Sequence, residues 1–342
     1  MGVELGLVTK DNARTDQGLD VVALGELLID FTPHGVSEQG QPLFEQNPGG
    51  APANVLAALA KLGLATSFIG AVGEDAFGCY LKDVLEQCGI GTEGLLLTSE
   101  AKTTLAFVHL DADGDRSFSF FRQPGADHML HEDDINRKLI DSAKIFHYGS
   151  ISMTHEPSRT ATLSTAAYAR SKGLLISYDP NLRLSLWDNE VAAKDRILEG
   201  LQYANVVKLS EEELLFLTGT RDLETGTKQL AEQFPSLFML LVTLGADGSY
   251  CRAGEATASH AGYKVDVLDT TGAGDAFFAG ILYSLLAERE AAAQNGWTQP
   301  QLESMLAFAN AMGALAATGK GAIPSMPTLG AITTIAGAFA LE

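Results

Sequence analysis

Apolar residues come in short bursts between polar, glycine-rich turns, and the bursts follow two periods. Val21 to Phe31 is almost continuously apolar, carries Asp30 near its end, and predicts a first buried strand. Pro33 to Pro42 is a polar turn region, Leu43 to Gln46 a short strand, and Asn47-Pro48-Gly49-Gly50 a tight turn. Pro52 suits the first turn of a helix. Val55, Leu56, Leu59 and Leu62 then share one helical face until Gly63 ends it. Leu64 to Val72 reads as a strand, and Asp75 as the cap of a helix ending before Gly89. Further strands are expected at Lys144–Gly149, Leu174–Tyr178, Ala204–Leu209 and Phe238–Leu244. Helices are expected after Pro157, around Trp187–Leu198, at Glu211–Leu217, around Thr225–Phe234 and at Leu302–Ala316, with an Ala-rich helix closing the chain.

Two stretches break this alternation. Thr104–Leu110 and Arg116–Arg122 flank the turn Asp111–Asp115, a hairpin signal that with the strand near Phe44 predicts a small separate sheet. Ser249 to Val267 reads as a second antiparallel section. The rest predicts an α/β fold, a parallel-rich central sheet with helices on both faces and a small inserted β-sheet. The expected organisation is a flexible tail over 1–20, one α/β domain over 21–330 and a C-terminal helix over 331–342. The inserted sheet is formed by about 31–48 and 103–123 of that domain.

The chain has 342 residues, 23 basic and 43 acidic, for a net charge of −20. That balance argues against nucleic acid and anionic membranes, which select basic patches. A polyanionic substrate must therefore be met by metal ions and a few local cations. Cys79, Cys88 and Cys251 form no C-x-x-C pair, which suits a reducing compartment and disfavours a zinc site. No apolar run is long enough for a membrane span, and the first twenty residues lack a signal-peptide core, so a cytoplasmic protein is expected.

The chemistry concentrates at Asp269-Thr270-Thr271-Gly272-Ala273-Gly274-Asp275. This turn opens a helix on which Phe277, Phe278, Ile281, Leu282, Leu285 and Leu286 recur at spacings of three and four. Helix N-termini leave backbone N–H groups for an anion, and the small residues 272–274 let it approach. Asp275 beside such a site reads either as a general base or as an ordinary first-turn acid. A dinucleotide fingerprint fails because Phe277 replaces its third glycine, and Gly319-Lys320-Gly321 is no Walker loop.

Other polar clusters fall where strands should end: Asp30, Gly49-Gly50 to Asn54, Asp179 to Arg183, and Lys208 to Glu213. Ligands of open α/β sheets bind there. Asn47-Pro-Gly-Gly-Ala-Pro-Ala-Asn54 and Asp269-Thr-Thr-Gly-Ala-Gly-Asp275 together resemble the paired signatures of the ribokinase-like (PfkB-type) sugar kinases, and among them the fructokinases. The order of elements agrees from about Val21 to Pro327.

The resemblance implies that Asp275 is the catalytic base and that Gly272, Ala273 and Gly274 form the anion hole. It implies sugar contacts from Asp30, Gly49, Gly50, Asn54, Asn181 and Arg183. Phe118 to Asp127 resembles the fructokinase lid, with Phe118 over the sugar and Arg122 reaching the sugar or the phosphates. Lys208, Thr243, Gly245, Gly248 and Asn310 would border the ATP. Glu213 fits the family's acid that organises Mg²⁺ through water, but Ser210 stands where the family carries Asn. Asp269, Thr271, Ala316, Gly319, Gly321 and Ser325 resemble a monovalent-cation site, for which K⁺ is implied.

The expected activity is ATP-dependent phosphorylation of a sugar's primary hydroxyl, with D-fructose as the preferred substrate. The alternatives are another substrate on the same fold (2-keto-3-deoxygluconate, or else ribose or a nucleoside), a sugar sensor without turnover, or a structural or partner-binding protein. The partners implied are the sugar and ATP, with no nucleic acid and no membrane; the resemblance also allows a homodimer.

Overall fold

The computed structural model describes the backbone of residues 18–110 and 116–339. Side chains 110, 116–118, 288–295 and 337–339 are outside the description, as is residue 111–115, the expected hairpin turn. In chain order the elements are β1 (Leu19–Leu24), β2 (Leu28–Val36), β3 (Pro42–Gly49), α1 (Ala51–Lys61), β4 (Thr66–Gly73), α2 (Ala76–Gln87), β5 (Ile90–Thr98), β6 (Leu105–Leu110) and β7 (Arg116–Phe121). Then come α3 (Arg137–Asp141), β8 (Ala143–Gly149), α4 (Ser158–Ser171), β9 (Leu175–Asp179), α5 (Glu190–Leu201), β10 (Val206–Ser210), α6 (Glu211–Thr218) and α7 (Leu223–Gln233). The last are β11 (Met239–Thr243), β12 (Ser249–Ala253), β13 (Ala256–His260), α8 (Ala273–Asn295), α9 (Gln299–Ala316), α10 (Ala322–Ser325) and α11 (Leu329–Phe339).

The large sheet runs β13-β12-β11-β10-β9-β8-β1-β4-β5. It is parallel from β11 to β5, and β12 and β13 add an antiparallel edge. Successive β1 side chains serve opposite cores. Val21 and Ala23 join Leu56, Phe278 and Leu306 on the face covered by α1, α8 and α9. Val22 and Leu24 join Ala166, Ile197 and Leu214 on the face covered by α4, α5 and α6. Fixing α8 matters most for the chemistry. Phe277, Phe278, Ile281 and Leu282 are all buried, each worth about 1.5–3 kcal/mol of burial.

The small sheet runs β3-β2-β6-β7. The single strand expected over Val21–Phe31 is instead two, because the chain changes sheet within it. Gly25 donates to Ile69 O as the last tie to the large sheet, and a Cβ on Gly25 would lie 2.5 Å from the Pro52 ring. With no room to continue straight, the chain turns at Glu26, and Asp30 belongs to the small sheet, paired with Asn47. β3 is also longer than expected. β5 was not anticipated, since Gly91, Thr92, Glu93 and Gly94 hide its apolar pattern. At the termini, β1 already begins at Leu19 and α11 at Leu329; the remainder of the expected tail, 1–17, and residues 340–342 lie outside the described residues.

Candidate active site

The β3 turn and the α8 turn, 221 residues apart, meet because α1 and α8 pack side by side. Asn54 Nδ2 donates to Asp275 Oδ2 at 2.8 Å, both groups buried. Asn54, which the sequence suggested as a sugar contact, gives its Nδ2–H to the carboxylate of Asp275, while its Oδ1 has no hydrogen-bond partner among the described residues. Burial pushes Asp275 up to about 6, with the charge of Asp179 adding to the rise and Asn54, Lys208 and Arg183 opposing it.

Asp30 faces the same space from β2. Burial pushes it up to about 7, against Arg183 and with help from Asp269 and Asp275. Gly49 must lack a side chain here, because a Cβ would overlap Asp30 Oδ2. Gly50 adopts φ 125°, and its missing Cβ leaves room for the Glu26 carbonyl.

At the α8 turn Gly272 takes φ 80°. Ala273 N donates to Thr270 O at 3.2 Å and Ala276 N to Gly272 O at 2.8 Å. The N–H of Ala273, expected to face an anion, is therefore already used. Gly272, Gly274 and Asp275 keep N–H groups without a backbone partner among the described residues. Lys208 lies beneath this turn, its Nζ 3.3 Å from where a Cβ on Gly274 would sit. It donates to Asp179 Oδ2 at 2.8 Å in a buried pair. Burial acts to lower Lys208, but Asp179 and Glu213 hold it up, so it stays charged.

Glu213 is placed by a capping box. Its Oε2 accepts from Ser210 N at 2.7 Å while Ser210 Oγ accepts from Glu213 N. Its Oε1 accepts from Leu182 N at 2.7 Å, tying α6 to the segment after β9. Ser210 thus has a structural task that the Ser-x-x-Glu spacing itself encodes. Both Glu213 oxygens are thus engaged with backbone N–H groups. No cluster of three or more His, Cys, Asp or Glu suited to direct metal binding occurs among the described residues. Asn181, the one non-glycine residue with positive φ among those described (46°), donates to Asp179 Oδ1, and Arg183 donates to Leu182 O.

Arg122 departs from expectation. It is turned inward, with Nε donating to Asp127 Oδ2 at 2.7 Å, Nη1 to Thr154 Oγ1 and Nη2 to Ile151 O. A guanidinium so committed does not extend to a sugar or phosphate. Phe118 pairs with Val108 across β6 and β7, but its side chain lies outside the described residues.

The remaining predicted positions lie at the end of β11, on α9 and around the anion turn. Thr243 closes β11, and Gly245 and Gly248 make the β11–β12 turn with φ 58° and 106°. Asn310 is buried, accepts from Ser249 Oγ and donates to His260 O, so it fastens α9 to the antiparallel edge. Asp269 joins the anion turn to the glycine-rich loop. Its Oδ1 accepts from Thr271 N and Oγ1, and its Oδ2 from Gly321 N at 3.0 Å. Gly319 packs on Ser325, and the Ala316 carbonyl faces Gly319 N. These bonds tie the 316–325 loop to the anion turn through Asp269.

Sequence reasoning undervalued three acids. Asp179 was seen in its cluster but not chosen; Glu26 and Asp127 were passed over. The signal available for Asp127 was an acid five residues from Arg122; for Glu26 it was an acid inside the apolar run Val21–Phe31.

The pfkB family carbohydrate kinase model matches residues 19–329. The chain belongs to the pfkB family of carbohydrate kinases. It is 44% identical over 315 residues to Probable fructokinase-7 of Arabidopsis thaliana, covering 91% of each protein. The fructokinase of Xylella fastidiosa, solved with bound ATP, superimposes with a TM-score of 0.86 at 36% identity, over 94% of this chain and 99% of that one. A fructokinase double mutant from Vibrio cholerae O395, solved with fructose, ADP and potassium ion, gives a TM-score of 0.81 at 34% identity, over 94% and 99%.

Proposed function

We infer that this chain is an ATP-dependent fructokinase, converting D-fructose to fructose 6-phosphate. The observation that carries the reading is the Asp275 carboxylate, pushed up to about 6 and oriented by Asn54 beside the open N–H groups of the α8 turn. A base near neutrality accepts and releases a proton most readily at working pH.

Asp30 and the Gly49–Gly50 turn bind sugar hydroxyls, with Arg183 and Asn181 at the margin, and bring the primary hydroxyl to Asp275. Asp275 takes its proton as the hydroxyl oxygen bonds to the γ-phosphorus. The bond from that phosphorus to the bridging oxygen breaks, and ADP leaves. The N–H groups of Gly272, Gly274 and Asp275 and the Lys208 ammonium meet the charge that spreads over the transferring group. Thr243, Gly245, Gly248 and Asn310 border the nucleotide, and β7, the strand that carries Phe118, belongs to the lid. Glu213 would help hold a Mg²⁺ ion through water, and such an ion would supply charge neutralisation on the phosphates. Asp269, Thr271 and the 316–325 loop would hold K⁺, whose charge would steady the anion turn.

No helix among the described residues is long and apolar enough to cross a membrane. The three cysteines are not disulfide-bonded, which suits the cytoplasm. A homodimer joined through the lid agrees with the exposure of Phe44 and Phe121 there, 42% and 65%.

The test is ADP release with Mg-ATP over a sugar panel. D-fructose should exceed 2-keto-3-deoxygluconate in kcat/KM, and a tenfold preference for the acid sugar, about 1.4 kcal/mol, would overturn the fructose assignment. Sugar-induced thermal stabilisation without turnover would mark a sensor instead. Rates should be higher in K⁺ than in a bulky organic cation at equal ionic strength. Equal rates would remove the cation from the scheme.

A further inference from the structure

The chain crosses between the two sheets four times: at Gly25–Leu27, at Gly50, near Thr104 and at Arg122–Gly125. These crossings are stitched to one another. Glu26 Oε1 accepts from Ala51 N at 2.8 Å, joining the first to the second. Ile29 N donates to Thr104 O at 3.1 Å, joining the first to the third. Ala126 N donates to Lys102 O, and Thr104 Oγ1 to Asp127 Oδ1 at 2.5 Å, joining the third to the fourth. Arg122 holds Asp127 and anchors the knot to Ile151 and Thr154 of the large body.

All of Glu26, Thr104, Arg122 and Asp127 are buried. Charged groups are seldom buried without a task, and Glu26 Oε2 has no hydrogen-bond partner among the described residues. Coulombic influence of Arg122 and Asp127 on Glu26 places the three in one electrostatic neighbourhood. None of them touches the reacting centre described above.

We propose that Glu26, Thr104, Arg122 and Asp127 form a buried polar hinge that sets the lid sheet relative to the sugar turn, with Glu26 as its positioning residue. The proposal rests on the kinase reading, in which Asp30 and the Gly49–Gly50 turn hold the sugar. Glu26 stands between them. Its carbonyl fills the space a Cβ on Gly50 would take, and its carboxyl grips Ala51, the first residue of the helix that carries Asn54. Moving Glu26 therefore shifts Asp30 and Asn54 together, while the nucleotide end stays in place.

The experiment compares Glu26→Leu, Glu26→Gln and Thr104→Val with the parent. Glu26→Leu removes the acceptor for Ala51 N; Glu26→Gln keeps it. Glu26→Leu should raise KM for fructose about tenfold with KM for ATP unchanged, and Glu26→Gln should recover most of the loss. A purely structural role would lower thermal stability without splitting the two KM values. Equal fructose KM in folded Glu26→Leu and parent overturns the hinge. Should that variant fail to fold, Thr104→Val answers the same question by a smaller rise in fructose KM, and its absence counts against the proposal. Hydrogen exchange in the sugar-free protein separates the two readings. Faster exchange confined to 28–36 and 105–110 in either variant supports the hinge even if the parent turns over no fructose, and unchanged exchange there sinks it.

Discussion

Asp127 and Asp275 are both buried, and burial pushes both carboxyls up, yet they end on opposite sides of the usual value. Arg122 is dedicated to Asp127 and holds it below the ordinary carboxylate range. Asp275 has no such cation. Lys208 is bonded to Asp179, Arg183 also serves Asp30, and the contact Asp275 receives is a neutral amide from Asn54. An acid that holds a fold together is paired one to one. An acid that works shares its cations with other acids, and so stays close to neutrality, where a proton moves easily.

The same substitution at the two sites should therefore fail in different ways. Asp275→Asn should lower kcat by about 10²–10⁴-fold, with sugar and ATP binding nearly kept. Unchanged kcat would remove Asp275 as the base. Asp127→Asn should instead strand the Arg122 charge in the interior and cost about 3–5 kcal/mol in urea unfolding. A loss below about 1 kcal/mol would show that Arg122 was never dependent on Asp127, and the contrast would collapse.

This contrast was only half legible in the sequence. The anion turn and Asp275 stood out because small residues, an acid and a helical apolar pattern occur together there. Arg122 and Asp127 lie as close in sequence, but nothing local says that they face each other and not the cleft. Burial decides that, and burial comes from Thr104, Ile151 and Thr154, residues distant in the chain. The break between β1 and β2 was hidden for a related reason. Both halves are apolar, and only the Pro52 ring against Gly25 forces the turn. Asn54 was legible as a site residue but its bond to Asp275 was not, since the meeting of α1 and α8 is a tertiary fact. Ser210 was legible and overlooked: with Glu213 it spells a capping box.

The pH dependence of turnover sharpens the contrast further. Asp275 is a base only when ionised, and its folded value is about 6. kcat should rise about tenfold per pH unit below 6 and level off above it. Asp127, already ionised throughout that range, should leave no inflection. A flat profile from pH 5 to 8 would mean that Asp275 keeps an ordinary carboxyl value.

The smallest expected effect is on stability, and its sign follows from the same shift. Asp275 goes from 3.8 in an open chain to about 6 in the folded protein. The native state then binds more protons between those values, so this group's contribution to stability is fully present below 3.8 and is lost as pH rises through 6. At pH 7.5 the folded protein carries a charge it holds poorly. Asp275→Asn removes that charge and keeps an oxygen for the Asn54 amide. The variant should be more stable than the parent at pH 7.5, by about 1–3 kcal/mol, or a Tm rise of about 2–6 °C. The advantage should fade as pH falls and be gone near pH 4, where the parent carboxyl is itself neutral. Asp127→Asn should show no such gain at any pH. A variant that is slower yet more stable is the signature of a residue kept for chemistry at the expense of the fold. If Asp275→Asn proved less stable at pH 7.5, then Lys208 and Arg183 would already compensate its charge. The two aspartates would then differ in location only.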